Sequence, residues 1–348
     1  MYKRLEKAGE MLMAIAKMNS DNNISSSASS LYNSFHTITL ENAFFTEDNI
    51  RNALICFGEN LSEERLLKYF SDKRIYKESN LNAAVIIPEK NIIGGFSDMI
   101  RVLLYGYNFI GRVSKTNRIL LELVADVIID FVPEWKDKVK FTEEGVGDFD
   151  VLFTNELDQK EISSKKIYSR YDGIVREKKK SIAVLTGKET KQDLLSIVDG
   201  MMAYFGQNTH SISKILIPED YNIVPLLESF EKYEYLKNHN KYLNNYEYYR
   251  SVYLLNREKF FDNEIIVVLP DNERFISPLG VMYFSFYQNE KDLLQQLSDT
   301  SDRYKFVYSK IAITNRIPFN NILYPDLFMC DDNQAFVKTL DDKLLGVC

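Results

Sequence analysis

Apolar residues near the amino end recur at spacings of three and four. Leu5, Ala8, Leu12 and Ile15 share one helical face and predict a helix over 1–18. Asn19 to Ser30 is rich in Ser and Asn, has no period, and reads as a mobile linker. Thr46 before Glu47-Asp48 marks a helix start, with a cap oxygen and acids suited to the positive dipole end; Ser62-Glu63-Glu64 marks another. From residue 83 the rhythm changes. Ala83 to Ile87 is a short apolar run ended by Pro88, hence a strand, and Gly94-Gly95 is a turn before Ser97-Asp98, which is expected to cap a helix over 99–107. Strands are expected at 109–113, 150–153, 181–186 and 212–217, with helices at 117–131 and 190–205 and a Lys-rich helical segment between the strands at 150 and 181. Further on, 264–269 and 281–287 read as strands around the turn Ser277-Pro278-Leu279-Gly280. Alternation of this kind implies parallel crossovers and an α/β sheet covered on both faces, with ligands beyond the carboxyl ends of its strands.

Length and charge narrow the class. The 348 residues suit two domains, and 45% apolar with 27% charged types is ordinary globular usage. A net charge of −7 argues against a phosphate-neutralising surface, so no nucleic-acid partner is expected. No apolar run reaches the ~20 residues of a membrane span, and no signal-type h-region follows the first charges; a reduced, cytoplasmic protein is expected. Cys56, Cys330 and Cys348 are too scattered for a disulfide scaffold or zinc site, and His36, His210 and His239 lack metal-ligand spacing. Cys56 falls inside an apolar helical pattern and reads as core, while Cys330 precedes two acids that disfavour a thiolate. Neither glycine-rich phosphate fingerprint is present. Lys178-Lys179-Lys180 reads as a solvated charge cluster, and the Tyr/Asn-crowded segment 238–249 as structural, with stacking on a planar ligand the alternative.

These landmarks together resemble the long-chain acyl-CoA reductase family, relatives of the bioluminescence fatty-acyl reductases within the aldehyde dehydrogenase superfamily. The resemblance runs from about residue 40 to 340: Asn42 to Ile50, Gly95-Phe96-Ser97-Asp98, Ser181 to Gly187, Tyr204-Phe205-Gly206, Ser213-Lys214, Asn238 to Tyr248 and Ile317-Pro318-Phe319. It implies an α/β, aldehyde dehydrogenase-like fold with a Rossmann-type parallel-sheet domain and a second α/β domain. The expected division is an N-terminal helical segment 1–80, a cofactor domain 81–205, a catalytic-type domain 206–325 and a C-terminal segment 326–348. It also implies a reaction: an acyl thioester passes to a cysteine, and NADPH reduces the acyl-enzyme to an aldehyde.

The sequence departs from that pattern where the chemistry lies. Thr209 stands at the position of the nucleophilic cysteine, and a threonine hydroxyl is a poor nucleophile without a strong base. Lys90 falls at the oxyanion-binding Asn, with Asn91 one residue away. Glu156-Leu157 replaces a Gly-Ser turn that lets backbone approach the cofactor. Arg112 takes the place of a cofactor-contacting lysine, Ser114 follows it, and Gly187 completes the implied cofactor positions. The reading is an acyl-CoA reductase-like chain that has lost catalysis and serves as a binding or partner subunit beside an acyl-activating or acyl-transfer enzyme. Its ligands would be acyl-CoA or an acyl chain, and self-association is left open. The alternative is an active reductase or acyl-transfer enzyme using Thr209, with His210 as base, or a recruited cysteine.

Overall fold

The computed structural model describes residues 1–20, 25–70, 79–157, 168, 170–313, 316–329 and 333–344. The chain forms two compact units, Met1–Lys178 with Asp326–Cys348, and Lys179–Pro325. The first unit opens with α1 (Tyr2–Lys17), α2 (Ser26–Asn33), α3 (Phe35–Glu41), α4 (Glu47–Asn60) and α5 (Glu63–Phe70). The face expected on α1 is fully buried at Leu5, Ala8, Leu12 and Ile15. Gly9 and Gly58 let α1 and α4 cross backbone to backbone, because a Cβ on either would come within 2.6 Å of the other's carbonyl oxygen. The supposed linker ends earlier than its composition suggests. Ser25 caps α2 by accepting from the Ala28 amide at 3.3 Å, and Ala28 and Leu31 are buried, so packing overrides weak propensity there. Residues 21–24 of that stretch lie outside the described residues.

The sheet of this unit comprises β1 (Asn82–Ile86), β2 (Asn108–Arg112), β3 (Val139–Thr142), β4 (Val151–Leu157) and β5 (Gly173–Glu177). Its order is β3-β2-β1-β4-β5, all parallel. α6 (Phe96–Leu104) joins β1 to β2 and α7 (Lys115–Phe131) joins β2 to β3. The chain then returns to the far side of β1, so the strand order reverses between β1 and β4; such a switch point opens a crevice beyond the carboxyl ends of those strands. β5 lies where a Lys-rich helix was expected; residues 158–167 and 169 of that segment are outside the described residues. Asp98 does not cap α6. Gly95 occupies the N-cap at φ 80°, and Asp98 is buried at 2.9 Å from Arg176 and 3.6 Å from Arg101. The C-terminal helix Asn333–Leu344 lies against β4 and β5. Phe336 stacks on Phe153 at 4.1 Å, and the Tyr107 hydroxyl donates to the Leu340 carbonyl at 2.7 Å.

In the second unit β6 (Ser181–Val184) leads through α8 (Lys191–Met202) to β7 (Ile212–Pro218), then α9 (Val224–Ser229) and α10 (Asn240–Leu255). There follow β8 (Phe261–Asp262), β9 (Val267–Pro270), β10 (Val281–Tyr287), α11 (Glu290–Asp299), β11 (Val307–Ser309) and β12 (Arg316–Ile317). The order is β12-β11-β6-β7-β10-β9-β8, parallel except for the antiparallel edge strand β8. β6 thus pairs with β7 here rather than joining the first sheet. The Tyr/Asn-rich segment forms α10, with Tyr242, Tyr246 and Tyr253 turned into the core. No helix among the described residues is long and apolar enough to cross a membrane.

Candidate functional site

In the first unit, three residues singled out from sequence come together at the carboxyl edge of the sheet. Arg112 ends β2 opposite Ile86 of β1 and is exposed; its guanidinium makes no hydrogen bond or ion pair among the described residues. Ser114 is the N-cap of α7, though its hydroxyl pairs with Thr116 at 3.0 Å instead of capping the backbone. Lys90 is exposed in the loop after β1, while Asn91 is turned inward: it is 6% exposed, and its side-chain oxygen accepts from the Ile93 amide at 3.3 Å.

That loop is held by a buried amide pair that the sequence did not announce. Asn117, in the first turn of α7, donates to the carbonyls of Pro88 and Glu89, and its oxygen accepts from Asn42 at 2.9 Å. The pair ties Lys90 and Lys115, both exposed, to the neighbourhood of Arg112, with Glu89 the interspersed acid. Asn117→Ala is expected to lower stability by about 2–3 kcal/mol, since it strips partners from two carbonyls and from Asn42; a urea melt of the full chain measures it. The acidic turn expected at Glu156-Leu157 falls at the end of β4, and the side chains there lie outside the described residues.

In the second unit the local structure around Thr209 is strained. Tyr204 and Phe205 adopt φ 52° and 54° and Gly206 follows at 62°, three consecutive left-handed residues. Two bulky aromatics in that region are outliers, costing roughly 1–3 kcal/mol each, and must be held by their surroundings. A Cβ at position 206 would lie 2.8 Å from the Met201 carbonyl oxygen, and His239 packs on the Phe205 ring at 4.7 Å. Behind the bend lies Lys180. Read from the sequence as part of a solvated run, it is 2% exposed, and its ammonium donates to the carbonyls of Gly206 and, at 2.9 Å, of Asn208. The loop's own carbonyls satisfy the charge of Lys180, whereas Lys178 and Lys179 are only half-buried.

Thr209 is half-buried. Its carbonyl accepts from the Ser181 hydroxyl at 2.9 Å, but its own hydroxyl has no hydrogen-bond partner among the described residues. His210 stacks on Phe306, ring centroids 4.7 Å apart and planes 18° from parallel, and makes no hydrogen bond to the Thr209 hydroxyl. Among the described residues no base hydrogen-bonds to this oxygen. Gly187 sits elsewhere: it follows the carboxyl end of β6 at φ 80°, whereas Thr209 precedes the amino end of β7, so the two occupy opposite edges of one sheet. The turn at Gly187 is filled from within by Glu189, which accepts from the amides of Thr186 at 2.7 Å and Gly187 at 3.0 Å.

Past the bend, β7 carries a bulge at Ser213: Ser181 opposes Ile212 while Ile182 opposes Lys214. Lys214 is 1% exposed, with its ammonium 4.3 Å from the Phe275 ring centroid. Burial pulls its pKa down to about 8, with Asp271 opposing and Arg303 adding to the fall. Of the three cysteines, Cys56 is buried in α4, its thiol pushed far up by desolvation, and Cys330 and Cys348 lie outside the described residues. The stretch 179–325 contains no cysteine at all. Among the described residues no cluster of His, Cys, Asp and Glu could hold a metal.

Solved structures resemble the chain over most of its length. An indole-3-acetaldehyde dehydrogenase from P. syringae, in complex with NAD+ and IAA, matches with a TM-score of 0.60 at 11% identity, over 92% of this chain and 75% of that one. The chain has the aldehyde dehydrogenase fold. Aldehyde dehydrogenase 21 from Physcomitrella patens, in complex with the reaction product succinate, matches with a TM-score of 0.57 at 10% identity, over 90% and 74% of the two chains. Betaine aldehyde dehydrogenase from Staphylococcus aureus matches at 0.58 and 12% identity, over 92% and 74%. The expected α/β, aldehyde dehydrogenase-like class is therefore borne out at the level of architecture. No protein-family model matches the sequence, and no curated protein does.

Proposed function

We propose that this chain is a catalytically inactive, acyl-CoA reductase-like protein that keeps a nucleotide-binding sheet and acts as a binding or partner subunit. The observation that carries the reading is the state of the bend. Thr209 stands there with an unactivated hydroxyl, in a unit whose sequence has no cysteine. Thioester exchange needs a thiolate or an equally activated oxygen, and neither is offered.

The described residues of the first unit fit the adenosine end of a nicotinamide dinucleotide. At the carboxyl end of β2 an acid would hydrogen-bond a ribose 2′-hydroxyl, whereas an arginine accepts a 2′-phosphate. Arg112 stands there unpaired with Lys90 and Lys115 nearby, which supports NADPH over NADH. The nicotinamide, when bound, supplies hydride chemistry; the residues named here only hold the phosphate and orient the ribose. NADPH is expected to raise the melting temperature by mass action and NADH to do so less. Arg112→Gln is expected to weaken NADPH about tenfold or more while leaving NADH unchanged. Equal responses to both nucleotides, before and after the substitution, would overturn the assignment. An acyl-activating or acyl-transfer enzyme is the partner proposed, and its co-purification with the tagged chain is the check.

A further inference from the structure

We propose that Asn42 is the positioning residue of the loop after β1, acting through Asn117 by fixing which end of that amide faces the loop. The loop borders the crevice at the strand-order switch between β1 and β4, so the role rests on the proposed nucleotide reading of the first unit. Both side chains are buried, at 5% and 2% exposed. They come from distant parts of the chain: Asn42 follows α3, and Asn117 lies in the first turn of α7.

An amide side chain has an acceptor end and a donor end, and its neighbours decide which way round it sits. Here the pair is pinned at both ends by backbone groups, which have no such freedom. The Phe44 N–H donates to the Asn42 oxygen at 3.1 Å, so the Asn42 NH2 is turned toward Asn117. That NH2 needs an acceptor and meets the Asn117 oxygen at 2.9 Å, where the Thr116 hydroxyl also donates at 3.3 Å. The Asn117 NH2 is thereby aimed at the carbonyls of Glu89 and, at 3.2 Å, of Pro88. Apart from a longer contact of 3.5 Å from the Asn42 NH2 to Glu89, these carbonyls have no other donor among the described residues. Beyond them the loop is buried from Asn91 to Phe96 and closes on itself, with the Gly94 amide donating to the Asn91 carbonyl at 3.1 Å.

The relay therefore has a direction, from the turn at 42–45 to the crevice. Aspartate at position 42 is nearly isosteric, but it turns a donor into an acceptor. Asn117 must then swing its NH2 toward the carboxylate and set its oxygen against the two loop carbonyls, which are left buried without a donor. Alanine at position 42 removes the donor without imposing that flip, since the Thr116 hydroxyl still addresses the Asn117 oxygen. Aspartate is thus the more damaging change for the loop, an order that lost packing alone would reverse.

The test uses the full-length chain, with hydrogen–deuterium exchange followed over the loop after β1 and NADPH titrated well below the melting temperature of every variant. Asn42→Asp should speed exchange in the loop about tenfold and weaken NADPH about tenfold, and Asn42→Ala should do less of both. Ile15→Val, a core change in α1, controls for lost stability: it should raise exchange across the unit without singling out the loop. Equal loop exchange in Asn42→Asp and Asn42→Ala, or a rise spread evenly over the unit as in the control, would overturn the relay whatever nucleotide binds. Faster loop exchange in a chain whose NADPH affinity does not move would overturn the link to the crevice. A parent that responds to neither NADPH nor NADH would remove the nucleotide reading instead, and loop exchange would then decide the relay by itself.

Discussion

Incubated with a long-chain acyl-CoA and NADPH, the protein is expected to release no aldehyde, and the Thr209→Cys variant is expected to remain silent as well. The first half follows from the hydroxyl of Thr209: among the described residues no base hydrogen-bonds to it, and its neighbour His210 stacks on Phe306. The second half is the stronger statement, because it restores the nucleophile and still anticipates failure. The resemblance implies a side-chain amide donor for the oxyanion at position 90, where this chain has Lys90. Lys90 is exposed, and the adjacent Asn91 is turned inward and buried, its oxygen accepting from the Ile93 amide at 3.3 Å. Loss of one such donor removes ~3–4 kcal/mol of transition-state stabilisation, a factor of roughly 10²–10³ in kcat. The thiol also gains no activating group by substitution alone, since no base hydrogen-bonds to the hydroxyl it replaces. Aldehyde trapped as a hydrazone and quantified over hours detects even slow turnover. Measurable aldehyde from the single variant would show that the oxyanion position had been overcounted as a loss.

Much of the architecture could be read from pattern, and the failures have physical causes. β10 matches its expected span of 281–287 because a largely apolar run follows the turn Ser277-Pro278-Leu279-Gly280. α1 and α7 follow from long amphipathic periods. β5 was missed because it is a half-buried edge strand of five residues whose composition is as charged as a helix surface. α10 was missed because Tyr and Asn are weak helix formers and its buried stripe is narrow. Among the candidate residues, the sequence pointed to Thr209 in one unit and to Lys90 and Arg112 in the other by position, but composition hid what surrounds each of them. Lys180 sits in a run of three lysines, and nothing in the run tells which ammonium is buried. Asn42 and Asn117 meet across 75 residues, a contact only topology creates. Gly187 looked like a ligand-facing glycine, yet the turn there is filled by Glu189.

Replacing the buried lysine of β7 is expected to stabilise the protein, against the usual direction of core substitutions. Lys214 has an ordinary value of 10.5 when unfolded and about 8 in the fold, with desolvation as the main cause. The charged form is therefore the disfavoured one. Below pH 8 the side chain is protonated in both states, and folding carries the full burial cost. Between about 8 and 10.5 the folded chain releases the proton while the unfolded chain keeps it. The unfolded state then binds more protons, and stability rises with pH. Above that window both states are neutral and the cost is gone. The whole span corresponds to about 3 kcal/mol, of which the contact with Phe275 returns about 1–2 kcal/mol. Lys214→Met, close in volume and able to pack against Ile182 and Phe275, should stabilise the chain by about 1–2 kcal/mol at pH 7. That advantage should shrink as pH climbs through the window. Urea melts of both proteins at pH 7, 8 and 9 give the comparison, and the difference between them cancels the titration of the buried tyrosines. A variant less stable than the parent by the same amount at every pH would mean that the ammonium is satisfied where it lies, and that β7 needs the charge.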